Sequence, residues 1–164
     1  MTVVILAVLT LLAQVVLGLP PAPPWLASIL LPMVFIAGPP LLLAEQRWPY
    51  GALLLGLAWD LMLEPVVGPG AIAWSAAAIV LGVVVPLVAD RSPRAWFAFG
   101  GLGAVLVILV RFLALMPLGL NSGLTARSFL VSVVLTATWC GLVGWTIALD
   151  IPTRWRAYRA RKLR

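Results

Sequence analysis

Six apolar stretches occupy most of this 164-residue chain. A helix that crosses a bilayer needs about 20 predominantly apolar residues, and most of the stretches approach that length. Prolines or charged residues separate them, notably around positions 20–24, 45–47 and 90–94. The sequence therefore predicts an all-α, polytopic transmembrane bundle over residues 1–149 and a basic cytoplasmic tail over residues 150–164. The expected spans are residues 2–19, 25–44, 49–63, 70–89, 95–116 and 128–149.

The composition excludes several classes of function. Hydrophobic residues make up 63% of the chain and charged residues only 10%, which is unlike a soluble domain. The chain has no histidine, and its one cysteine, Cys140, lies inside an apolar stretch. A disulfide framework, a histidine-containing zinc site and a histidine-based catalytic triad are therefore not expected. We predict no enzyme activity, no catalytic residue, no metal and no cofactor.

The basic residues predict the orientation. With six spans, nine of the eleven lysines and arginines fall on the side of both termini, and only Arg127 falls in a loop on the other side. This positive-inside pattern predicts that both termini of a multi-pass membrane protein are cytoplasmic. The tail is expected to touch anionic lipid, and we expect no nucleic-acid binding. A five-helix arrangement would put the basic loop near position 91 and the tail on opposite faces. The first span is expected to be retained, because it lacks the basic segment of a cleaved signal.

Two ionisable residues, Asp60 and Arg111, lie inside predicted spans. A carboxylate in a span costs about 2.5–3.5 kcal/mol on insertion scales, so it is normally paired within the bundle. Both charges are expected near the outer ends of their helices, and an Asp60–Arg111 pair would hold the third and fifth spans together. Interfacial solvation of both, or a transport or catalytic role, are the alternatives. Glu64, one turn after Asp60, is predicted to be a solvated charge at the helix end.

Prolines, glycines and polar side chains predict details of the helices. Pro32 and the prolines at positions 39–40 predict a kinked second span. Gly68 and Gly70 predict a close reversal between the third and fourth spans, as in some transporter binding sites. Small residues four apart predict close helix contacts at Ala52/Gly56, Ala78/Gly82, Gly100/Ala104 and Ala137/Gly141. Polar side chains inside spans are expected to bond their own helix or a neighbour: Gln14, Ser75, Ser132, Thr136 and Thr138.

One segment of the chain resembles a known family. The run Gly56-Leu57-Ala58-Trp59-Asp60, followed after seven residues by Gly68-Pro69-Gly70-Ala71, is similar to the MreD family of bacterial rod shape-determining membrane proteins. In that family a short glycine-containing helix carries an aspartate, and a glycine follows about eight positions later. The length, the six apolar stretches and the basic tail also resemble the family.

The resemblance implies a non-enzymatic scaffold of the cell-elongation machinery for peptidoglycan synthesis, located in the bacterial inner membrane. It implies binding to MreC, and through MreC a link to MreB, RodA and a class-B penicillin-binding protein. Asp60, Arg111, Glu64, Gly56, Gly68 and Gly70 are then expected to serve structure and interaction. The family is also similar in fold to the substrate-binding subunits of energy-coupling-factor vitamin transporters. A solute-binding subunit of that kind is therefore the alternative function.

Overall fold

The computed structural model describes residues 2–19, 23–42, 48–64, 66–88, 92–119 and 125–149, and every regular element in these ranges is helical. The all-α prediction is confirmed for this part of the chain. The basic tail and the charged loops at 45–47, 90 and 91 lie outside the described residues. The helices are α1 (Thr2–Gly18), α2 (Pro24–Ala27), α3 (Val34–Leu42), α4 (Trp48–Leu63), α5 (Pro69–Val88), α6 (Pro93–Leu115) and α7 (Ala126–Ala148), with 3₁₀ turns at Leu31–Met33 and Met116–Leu118.

Three described helices are long and apolar enough to cross a membrane. They are Pro69–Leu87, Pro93–Leu118 and Ala126–Ala148. Three shorter apolar segments, Leu6–Gly18, Trp25–Gly38 and Pro49–Leu63, correspond to the first, second and third predicted spans. By length and composition, the structure therefore supports a membrane protein with at least three spanning helices.

The long helices begin at sequence signals that satisfy their first amides. Proline occupies the first position of α5 and of α6, where a missing N–H costs nothing. The Ser92 side chain accepts a hydrogen bond from the Ala95 amide at the start of α6. Thr125 and Ser128 form a capping box at the start of α7.

Helices α5 and α6 form the centre of the bundle. Helix α5 packs against both α4 and α6, and α6 also packs closely along α7. Helices α6 and α7 approach closely at Gly100 and Gly144, where an added Cβ atom would collide with the Cys140 and Trp96 side chains, respectively. The largest fully buried apolar side chains include Trp74, Met33 and Leu81. Many large apolar side chains also cover the exterior, as expected for helices in lipid.

The second predicted span is broken rather than kinked. Helix α2 ends at Ala27 and α3 begins at Val34, and residues 28–33 between them, here called the α2–α3 break, are not α-helical. Pro32 has no amide hydrogen to continue a helical ladder, which favours the interruption at this point. The prolines at positions 39–40, by contrast, lie within α3 and do not end it.

Candidate functional site

The carboxylate of Asp60 is almost completely buried and binds the start of the next helix. Asp60 is 1% exposed. Its Oδ2 accepts hydrogen bonds from the backbone amides of Gly68 at 2.8 Å, Gly70 at 3.0 Å and Ala71 at 3.2 Å. The Gly70 amide is also 3.1 Å from Oδ1. We call this group of four residues the Asp60 cap.

The Asp60 cap satisfies amides at the start of α5 that have no partner within the helix. The first residue of this helix, Pro69, has no N–H, and the next two amides bind Asp60. The amide that follows, from Ile72, donates to the Gly68 carbonyl at 3.0 Å. A carboxylate is well placed at a helix N-terminus, where the helix dipole and unpaired donors favour negative charge. Hydrogen bonding therefore offsets the cost of burying this charge.

Three glycines make room for the Asp60 cap. Gly68 has φ = 124°, a conformation that residues with a side chain rarely adopt. A Cβ atom on Gly70 would collide with the Asp60 carboxylate. A Cβ atom on Gly56 would lie 2.6 Å from the Ala71 Cα, because the backbones of α4 and α5 touch there. Gly68 and Gly70 thus lie against the Asp60 carboxylate, and Gly56 lies against the backbone of Gly70 and Ala71.

Arg111 pairs with Glu64, and the predicted Asp60–Arg111 pair is wrong. The Arg111 Nη2 lies 2.5 Å from the Glu64 Oε2, with the two side chains 33% and 19% exposed. The Asp60 carboxylate is instead occupied by backbone amides eight to eleven residues further along the chain. Glu64 is therefore not a separate solvated charge, as the sequence suggested. A charge pair does join α4 to α6, but its carboxylate comes from one turn later than predicted.

Side chains from distant helices satisfy the backbone of the α2–α3 break. From α1, the Gln14 side chain donates to the Ala27 carbonyl and accepts from the Leu31 amide, both at 3.1 Å. From α7, Thr136 Oγ1 accepts from the Leu30 amide at 3.0 Å. Two further α7 side chains donate to carbonyls of the break, Ser132 to Ser28 at 2.6 Å and Trp139 to Leu31 at 3.1 Å. These bonds let non-helical backbone exist inside an apolar bundle.

The supporting role of these side chains was missed from the sequence. Ser75 and Thr138 bond to carbonyls of their own helices, which is one of the two uses predicted for such residues. Ser132 and Thr136 instead bond to the backbone of the α2–α3 break. Bonding to a neighbouring segment is the other predicted use, but the sequence did not predict which segment it would be. The four-residue spacing of Ser132 and Thr136 on α7, which puts them on one face, is a signal that could have indicated a common partner.

A cavity of about 360 Å³ lies beside the ion pair and the α2–α3 break. It is found where α4 and α6 end and α7 begins, because Glu64, Arg111 and Ser128 all line it. Aromatic and apolar side chains supply much of the remaining wall, among them Trp59, Trp74 and Phe112. The rings of Trp59 and Trp74 are themselves packed together, with centroids 5.5 Å apart. The cavity thus combines apolar walls with one pair of opposite charges.

The described residues contain no group of three or more histidine, cysteine or acidic side chains that could hold a metal ion. Both acidic residues within the described ranges are engaged, Asp60 by amides and Glu64 by Arg111. No family model matches the chain, and neither a curated protein nor a solved structure matches it.

Proposed function

We propose that this protein is an MreD-like, non-enzymatic scaffold of the cell-elongation machinery in the bacterial inner membrane. Its partner would be an MreC-like membrane protein, linked through that protein to MreB, RodA and a class-B penicillin-binding protein. The Asp60 cap is the observation that carries the proposal. Of the residues on which the family resemblance rests, Asp60, Gly68, Gly70 and Ala71 form one hydrogen-bonded unit. The backbone of Gly56 packs against Gly70 and Ala71 of this unit.

The geometry of the cap favours binding over chemistry. General acid–base catalysis needs a carboxyl group that can reach a substrate proton. The Asp60 carboxylate accepts from three amides and is 1% exposed, so it is already used to join α4 to α5. A rigid corner of this kind supports a scaffold, because it fixes the surface beside it. The side chains of Leu61, Val67 and Ile72 provide exposed apolar surface around that corner.

The proposed topology has six spans with both termini in the cytoplasm. It adds the three shorter apolar segments to the three long helices, and it rests on the distribution of basic residues. In this orientation the Asp60 cap and the cavity face the outer leaflet. We expect the transmembrane helix of the partner to pack on the lipid-facing surface of the bundle, with its juxtamembrane segment close to Val67 and Gly68.

Gentle purification of the tagged protein from its own membranes, followed by mass spectrometry, tests the proposal. We expect an MreC-like protein and cell-wall synthases in the eluate. Asp60→Ala should reduce their recovery at equal amounts of tagged protein, whereas Ser75→Ala, which removes a hydrogen bond within one helix, should not. Absence of these partners from the wild-type eluate would count against the scaffold.

Photo-crosslinking locates the proposed interface. A photoreactive residue at Val67, beside the cap, should capture the MreC-like partner. The matched control is Leu87, which is 78% exposed and lies at the opposite end of α5. Equal capture at both positions, or capture at Leu87 alone, would argue against docking beside the Asp60 cap.

The cavity favours a second candidate, a solute-binding subunit of an energy-coupling-factor-type transporter. Its volume of about 360 Å³ lies in the range of small-molecule sites, roughly 300–1,000 Å³. This function predicts that an ATPase pair and a transmembrane coupling subunit are recovered with the protein instead of cell-wall synthases. The same purification therefore distinguishes the two candidates.

A further inference from the structure

The polar groups around the cavity differ in whether they can bind something else. The Gln14 amide and the Ser132 hydroxyl line the cavity, but both are used to hold the α2–α3 break. The Glu64–Arg111 pair also lines the cavity, and its two side chains keep partial exposure of 19% and 33%. The ion pair is therefore the polar element that a ligand could contact without dismantling the fold.

The charges of the pair restrict the ligand. Glu64 and Arg111 cancel, so a ligand with a net charge would leave one charge uncompensated beside apolar walls, which is unfavourable. A neutral ligand without charges would gain little from either side chain. We propose that the cavity binds a zwitterion, with its phosphate or carboxylate on Arg111 and its ammonium group on Glu64. This inference does not depend on the scaffold function.

Replacing the contact between Glu64 and Arg111 by contacts to a zwitterion costs little free energy. A partly exposed ion pair contributes little to stability, because solvent screens it and two long side chains must be ordered. A zwitterion that separates the pair gives each side chain a new partner of opposite charge, so no charge is left unpaired. The guanidinium of Arg111 matches the geometry of carboxylate and phosphate oxygens. The indole rings of Trp59 and Trp74 in the same wall are of the type that attracts ammonium groups.

The size and location of the cavity indicate two sources of such a zwitterion. At about 360 Å³ it lies near the lower end of the range for ligand sites, which suits a head group or a small polar molecule. The ethanolamine phosphate of a zwitterionic phospholipid has the required chemistry, with the acyl chains remaining in the bilayer. A soluble zwitterion entering from water has it as well.

Two binding measurements on the purified full-length protein separate the sources. Native mass spectrometry after transfer from nanodiscs compares retention of phosphatidylethanolamine with that of the anionic phosphatidylglycerol. Thermal unfolding in detergent compares soluble glycerophosphoethanolamine with anionic glycerol phosphate, because a ligand that binds the folded state raises the midpoint. Retention of phosphatidylethanolamine but not of phosphatidylglycerol identifies a lipid as the ligand. A rise in the unfolding midpoint with glycerophosphoethanolamine but not with glycerol phosphate identifies a soluble zwitterion as the ligand. Either result supports the site.

Three variants test whether binding occurs at the cavity. Glu64→Gln combined with Arg111→Gln removes both charges, and Ile108→Trp fills the cavity while keeping the ion pair. We expect each to weaken binding of the zwitterion at least about tenfold, which corresponds to the loss of one good polar contact. Arg127→Gln, an exposed cation at the start of α7, is the matched control and should bind like the wild type.

Clear outcomes would overturn the inference. It fails if the anionic probes bind as tightly as the zwitterionic ones, or if neither zwitterionic probe binds. It also fails if Ile108→Trp binds like the wild type. Because that variant keeps every charge, it decides the question even if the double glutamine variant does not fold.

Discussion

The Asp60 cap and the α2–α3 break solve the same physical problem in different ways. Each is a place where backbone groups lack helical partners inside an apolar bundle, and each recruits side chains to bind them. At the cap, one carboxylate binds amides only eight to eleven residues away. At the break, the amides and carbonyls bind Gln14 on α1, 13 and 17 residues away, and α7 side chains 104 to 108 residues away.

This difference predicts how strongly a single substitution destabilises each region. The cap concentrates its bonds on one charged side chain, so one substitution can remove all of them. The break distributes its bonds over four neutral side chains, so each substitution removes only a part. We therefore expect the largest single-residue effects at the cap and smaller effects at the break.

Asp60→Ala should cause the largest loss of stability. It leaves the buried amides of Gly70 and Ala71 without their acceptor. Each unsatisfied buried donor costs about 1–3 kcal/mol, so the loss of the acceptor for two amides should lower the free energy of unfolding by about 2–6 kcal/mol. Denaturant titration in detergent micelles, followed by tryptophan fluorescence, measures the change.

Asp60→Asn keeps one acceptor oxygen, so this variant should lose less stability than Asp60→Ala. A similar loss for Asn and Ala would indicate that charge, not hydrogen bonding, dominates the cap.

Gly70→Ala should be strongly destabilising in the wild type but much less so when Asp60 is already alanine. The added Cβ atom collides with the Asp60 carboxylate, and the three nearest atoms it meets all belong to that side chain. The double-mutant cycle should give a coupling energy of about 1–3 kcal/mol, as found for residues in contact. Additive losses would mean that the collision is relieved elsewhere, and the close fit of the cap would be refuted.

At the break, two threonines on α7 form a matched pair. Thr136 is fully buried and accepts the bond from Leu30, whereas Thr138 is exposed and bonds within its own helix. Thr136→Val should lower the free energy of unfolding by about 1–2 kcal/mol and accelerate hydrogen exchange at the Leu30 amide. Thr138→Val should change stability by less than about 0.5 kcal/mol. Equal effects would show that the break does not depend on α7.

How well each region could be predicted follows from the distances along the chain. The glycines and the aspartate of the cap stand within 16 residues, from Gly56 to Ala71, so their spacing was visible in the sequence. What the sequence did not reveal was the bonding partner of Asp60. A buried charge usually pairs with an opposite charge, and Arg111 was a candidate partner for Asp60. The turn after α4 instead brings the backbone amides of Gly68 and Gly70 within hydrogen-bond distance of the Asp60 carboxylate.

The break could not be placed from the sequence for a related reason. Pro32 indicated an irregular second span, but whether a proline kinks or breaks a helix depends on what can satisfy the freed backbone. Here Gln14 and the α7 side chains do so, and their proximity is decided by the packing of the whole bundle. Residues of the cavity wall are likewise contributed by most of the helices, so no local pattern predicted it.

The smallest effect is expected at the Glu64–Arg111 pair, and it tests the corrected pairing directly. Because both side chains are partly exposed, the coupling energy between Glu64→Gln and Arg111→Gln should be about 1 kcal/mol or less. It should shrink in high salt, which screens exposed charges. The cycle between Asp60→Ala and Arg111→Gln should give almost no coupling, because Asp60 binds the amides of Gly68, Gly70 and Ala71 instead of Arg111. If Arg111 couples more strongly to Asp60 than to Glu64, the cap is not closed in the membrane-embedded protein, and the originally predicted pair would replace it.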